Sequence, residues 1–87
     1  MKNRIKLFQF TDFIQATLLK MVNDKENDAI KVSVYGYTPG YDHIDFSYHI
    51  EFKDENSRDL TFDEITLELM FEDIKKIITS SSIPILI

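Results

Sequence analysis

The stretch IKVSVYGYTPGYDHIDFSYHIEF, Ile30 to Phe52, alternates with period two on both sides of a Pro39-Gly40 turn. Apolar or small residues fall on the even positions, from Ile30, Val32, Val34 and Gly36 to Ile44, Phe46, Tyr48, Ile50 and Phe52. The odd positions carry Lys31, Ser33, Tyr35 and Tyr37, then His43, Asp45, Ser47, His49 and Glu51. Strand side chains alternate between faces, so this is a hairpin with one core face and one polar, tyrosine-bearing face. Its parity constrains the turn. A two-residue Pro39-Gly40 loop sets Val34 opposite Asp45 and puts the two apolar rows on opposite faces. A loop of three or five residues, or a bulge, restores agreement and sets Val34 opposite Phe46 or Ile44. The sequence therefore predicts a loop of odd length.

Working outward, Thr11 precedes Asp12 and an apolar spacing at Phe13, Ile14, Leu18, Met21 and Val22, which predicts an amphipathic helix of about three turns capped by the Thr11 hydroxyl. Residues 4–10 fit a short strand or an extension of that helix. Arg58 to Phe62 alternates as a third, short strand with Leu60 and Phe62 inward. Thr61 with Glu64 fits a capping box. The helix it opens has a core stripe of Leu67, Met70, Phe71, Ile74, Ile77 and Ile78. The fold class is α+β: a small antiparallel sheet of two to three strands around the central hairpin, flanked by an N-terminal and a C-terminal helix. Eighty-seven residues make one domain, 1–87.

Composition narrows the function. Hydrophobic residues are 44% and charged residues 29% of the chain, the proportions of a folded globular protein. Cysteine is absent, which removes disulfides and thiolate chemistry and leans toward the cytoplasm. No apolar run approaches the roughly 20 residues that span a bilayer. The net charge of −5 is unevenly spread: residues 1–20 sum to +3 and residues 54–73 to −7. That balance opposes direct nucleic-acid binding and suits a basic protein surface as partner.

Asp45, Ser47 and His49 are triad residue types, but on one strand they stand in file about 6.6 Å apart. That is too far for nucleophile–base contact, so no enzyme activity and no catalytic residue are assigned. His43 and His49 lie about 20 Å apart along the strand, too far to share a metal, and no cofactor is expected. Two sets remain as partner-binding candidates. One is aromatic and polar, at the hairpin: Tyr35, Tyr37, Tyr41, His43 and Asp45. The other is acidic: Asp59 and Asp63, with Glu64, Glu68 and Glu72 forming one row on the predicted helix. Ile83-Pro84-Ile85-Leu86-Ile87 is an apolar tail that needs covering, by its own domain or by a second copy in a homodimer.

Length, acidic balance, the helix–hairpin–strand–helix order and the missing catalytic kit resemble small phage-encoded inhibitor proteins, including acidic anti-CRISPR proteins. The acidic residues between Asp54 and Asp73 and the hairpin tyrosines carry the resemblance. It implies a stoichiometric inhibitor that blocks the nucleic-acid-binding groove of a defence nuclease. The basic N-terminal segment and the apolar tail depart from that pattern. A self-associating structural or regulatory module, joined through the hairpin edge or the tail, is the alternative.

Overall fold

The hairpin is the centre of a larger sheet. A computed structural model describes residues 4–37, 40 and 43–81; Tyr41 and the tail 83–87 lie outside them. Four strands, β1 (Ile5–Gln9), β2 (Ile14–Val22), β3 (Asp28–Tyr37) and β4 (His43–Phe52), pair antiparallel in chain order. Two helices follow, α1 (Glu55–Glu64) and α2 (Leu67–Ser81), so the order is ββββαα. The α+β class stands. The sheet has four strands instead of two or three, and both helices lie after it.

The hairpin parity holds. Val34 pairs with Phe46 and Tyr37 with His43, leaving five residues in the connection. Ile30, Val32, Val34 and Ile44 are buried, whereas Tyr35, Tyr37, Asp45 and His49 are exposed. Of residues 4–10, which fit a strand or a helix extension, Ile5–Gln9 form the edge strand β1.

Two expectations are corrected. The segment expected to be an N-terminal helix is β2, with Ile14, Ala16, Leu18 and Lys20 buried in strict alternation. Its spacing at 14, 18 and 21–22 satisfies both periods, and hydrogen bonding to β1 on one side and β3 on the other decides for the strand. The Thr11 hydroxyl does accept two backbone N–H groups, from Phe13 and Ile14 at 3.0 Å each, but it tightens the β1–β2 turn rather than a helix. The expected third strand, 58–62, lies within α1. Asp54 caps that helix by accepting from the Ser57 N–H at 2.7 Å. Phe62 is buried as expected, while Leu60 is 60% exposed.

Helix α1 ends at Glu64 because Ile65 turns extended, with φ −65° and ψ 133°. Thr66, not Thr61, then serves the start of α2, its hydroxyl accepting from the Leu69 N–H at 3.3 Å. The α2 stripe falls where its spacing predicts, with Met70 and Ile74 buried and Phe71, Ile77 and Ile78 half-buried. Both helices cover the even face of the sheet. Phe71 stacks on Phe10 at 4.9 Å, and the Tyr48 hydroxyl lies 3.7 Å from the Met70 sulfur.

An ionic hook holds α1. Lys20, 6% exposed, sits 3.5 Å from Asp59 and 5.1 Å from the centre of the Phe62 ring. Arg58 donates to Asp59 at 3.0 Å, to Asp28 at 3.4 Å and to the Met21 carbonyl at 3.2 Å. The guanidinium thereby joins the helix to the ends of β2 and β3.

Candidate functional site

The sheet separates the two sets of candidate residues. Tyr35, Tyr37, His43 and Asp45 stand on the odd face, away from the helices, in register: Tyr35 beside Asp45 and Tyr37 beside His43. The Tyr37 and His43 rings meet at 5.5 Å and 53°, and the Gln15 amide donates to the Tyr35 hydroxyl. Tyr41 is outside the described residues. The acidic candidates belong to the helices on the opposite side, so no single contiguous surface contains both sets.

Within the acidic set, the row is corrected. Glu64 closes α1 and Glu68 opens α2, so Glu64, Glu68 and Glu72 do not repeat along one helix. A groove of about 480 Å³ at the helix–helix junction is nevertheless lined by Glu64, Glu72 and Asp73, with Lys76 and Thr61, over Ile65 and Leu69. Glu72 also pairs with Lys75 at 2.9 Å, which holds its carboxyl below the usual range. Asp63 and Glu68 are exposed. Asp59 is turned inward, its side chain 17% exposed between Lys20 and Arg58.

Sequence reasoning passed over the cations. Lys6 donates to the Phe62 and Asp63 carbonyls at the end of α1, Lys20 is buried, and the Arg58 side chain is 11% exposed. Three positive charges on the helical side are thus spent on internal contacts. The signal for Lys20 was its parity, since 14, 16, 18 and 20 share one face.

Asp59 makes this hook pH-sensitive. Burial pushes its pKa up, but the hydrogen bond and charge of Arg58, with Lys20, push it down by more, to below its ordinary 3.8. A depressed carboxyl contributes stability that is present above its ordinary value and lost as pH falls through the lowered one. Asp59→Asn should therefore flatten the acid limb: the drop in urea midpoint between about pH 7 and pH 2.5 is smaller than in the native chain. Equal drops would place the acid sensitivity at Glu51, Asp54 and Glu72, which are also lowered by hydrogen bonds, from Asn27 and Asn23, from Ser57 and from Lys75.

Asp45, Ser47 and His49 stand in file on β4, opposite Tyr35, Ser33 and Lys31. A shallow polar cavity of about 290 Å³ beside them is lined by Asn23, Asp24, Lys25, His49 and Glu51. Among the described residues no group of three His, Cys, Asp or Glu side chains is placed to hold a metal ion. Nor is any helix among them long and apolar enough to cross a membrane. Comparison with known proteins returned no matching family model, no matching curated relative and no matching solved structure.

Proposed function

We propose that the chain is a small acidic, non-enzymatic binding protein. It acts as a stoichiometric inhibitor of the phage or mobile-element kind. Its carboxylate-bearing helices occupy the basic surface of a nucleic-acid-binding enzyme such as a CRISPR effector nuclease. The observation that carries this reading is the internal use of Lys6, Lys20 and Arg58. Arg58 and Asp59 cancel as an inward pair and Lys6 and Lys20 are held on internal contacts, so the outer side of α1 and α2 presents Glu55, Asp63, Glu64, Glu68, Glu72 and Asp73 against Lys75 and Lys76 alone. A negative layer attracts a cationic groove and speeds encounter.

The test uses a purified effector nuclease and labelled guide or target nucleic acid. The chain is expected to compete with the nucleic acid, and its affinity to fall steeply with added salt. Joint reversal of Glu64, Glu68 and Glu72 to lysine should weaken binding by at least about tenfold, which is 1.4 kcal/mol. Unchanged binding after that reversal would sink the acidic-layer reading.

The second reading, self-association through the hairpin edge, has one observation in its favour. β4 is an edge strand of the sheet, and edge strands offer a row of backbone donors and acceptors.

A further inference from the structure

The odd face of the sheet is bare of helices, and its side chains stand in cross-strand rows. The middle row is Leu7, Thr17, Ser33 and Ser47. On one side of it lie Ile5, Leu19, Lys31 and His49; on the other lie Gln9, Gln15, Tyr35 and Asp45. The next rows out on β3 and β4 are Ala29 with Glu51 at one end and Tyr37 with His43 at the other.

We propose that this face is a two-fold interface between two copies of the chain. The copies lie face to face with strands antiparallel, and the axis runs across the strands along the middle row. Rotation about that axis leaves each strand over its own counterpart and exchanges the rows on either side. His49 then faces Asp45 of the second copy, and Glu51 faces its His43. Lys31 comes over the Tyr35 ring, a cation–π arrangement. Leu7, 61% exposed, meets Leu7, and the axis itself is lined by Thr17, Ser33 and Ser47, which allow close approach. A closed two-fold contact needs this kind of self-complementarity. On β1 and β2 the same rotation sets Ile5 over Gln9 and Leu19 over Gln15; the other in-plane axis, parallel to the strands, also sets Ile5 and Leu7 over polar residues, of β4, and loses the His49–Asp45 and Glu51–His43 pairs as well.

Charge and area support the same occupant. The chain carries −5 overall, yet this face sets Lys31 against Asp45 and Glu51, so most of the excess resides elsewhere. Face-to-face docking points both acidic helical layers outward. They are then separated by two sheets about 10 Å apart, more than the roughly 8 Å Debye length at physiological salt. Strands of five to ten residues, at about 3.4 Å per residue and 4.8 Å between strands, present a flat face of about 550 Å². Side-chain relief raises its accessible area toward the roughly 800 Å² per partner of a stable interface. Aligned sheet packing, at about −30°, preserves the row matching near the axis.

Sedimentation equilibrium of the full chain, from micromolar to about 1 mM, tests this. The expected result is a dimer, twice the 10.3 kDa of the chain. Ser47→Arg puts like charges across the axis and should give a monomer with an unchanged far-ultraviolet spectrum. Leu60→Arg, on the exposed side of α1, should leave the dimer intact. Asp45→Arg and His49→Glu should each weaken self-association, while the two variants mixed associate at least about tenfold more tightly than either alone. A monomer throughout overturns the proposal, as does a dimer indifferent to Ser47→Arg, which would be joined by the tail or the β4 edge. Failure of the mixed pair to associate overturns the register. The outcomes at Ser47, Asp45 and His49 do not bear on the acidic-layer reading, because those residues lie on the face opposite the helices; Leu60→Arg, on α1, serves only as the control for the dimer.

Discussion

Replacing Phe62 by alanine removes about 3–5 kcal/mol of stability, seen as a lower urea midpoint with an unchanged slope. Phe62 is the only α1 side chain fully buried, and that helix has little other apolar hold on the sheet. Its ring also receives two cations, Lys6 at 5.0 Å and Lys20 at 5.1 Å from its centre. Alanine leaves a cavity and, in the same step, strips the buried Lys20 of the aromatic face that helps offset its desolvation. A domain of this size has about 5–15 kcal/mol to lose, so the variant sits near the folding threshold. Phe62→Leu should recover more than half of the loss, because it restores apolar volume. Leu60→Ala, two residues away but exposed, should change stability by less than about 0.5 kcal/mol. Equal losses at Leu60 and Phe62 would mean that α1 docks by a different face.

Gly36→Ala is expected to cost at least about 3 kcal/mol, or to prevent folding, for two independent reasons. Gly36 has φ +142°, a backbone region that side chains with a Cβ rarely adopt. A Cβ there would also overlap the backbone carbonyl of Phe13 and lie 2.8 Å from the Ile14 Cα. That carbonyl cannot retreat freely, because it accepts the Tyr37 N–H at 2.9 Å and so closes the β2–β3 ladder. Thermal unfolding followed by circular dichroism reads the effect, at roughly 4–8 °C per kcal/mol for a domain of this length. A Gly36→Ala chain melting within 5 °C of the native one would contradict the close approach of β2 at this point.

The β3–β4 hairpin was legible because its information is local. Ten alternating positions on each strand, plus the rule that one face is buried, require an odd loop and narrow the register to Val34 opposite Phe46 or Ile44, of which the sheet takes Phe46. The α2 stripe was legible for the same reason, its period of 3.6 sustained from Met70 to Ile78. β2 was not, since Phe13, Ile14, Leu18, Met21 and Val22 fit either period and Thr11 mimics a helix cap. Only pairing with two distant strands resolves it. α1 was hidden by its own polarity: a helix held by one phenylalanine and an ionic hook has no apolar stripe to read. The candidate site suffered similarly. Composition revealed the carboxylates, but which lysines and arginine are turned inward depends on where α1 lands on the sheet.

Chain-order pairing of the four strands has a kinetic meaning. Each strand hydrogen-bonds to the one made just before it, so the sheet assembles from short loop closures, a topology that folds quickly for its strand content. During synthesis, however, residues 5–52 leave the ribosome before α1 and α2 exist to cover Ile14, Leu18, Ile30 and Val32. A nascent meander with both faces wet is an aggregation hazard, which α1 begins to relieve with Arg58 and Phe62 and which Met70 and Ile74 of α2 end. The charged hook in α1 is therefore placed where it can dock the first helix on the sheet before the apolar α2 is complete.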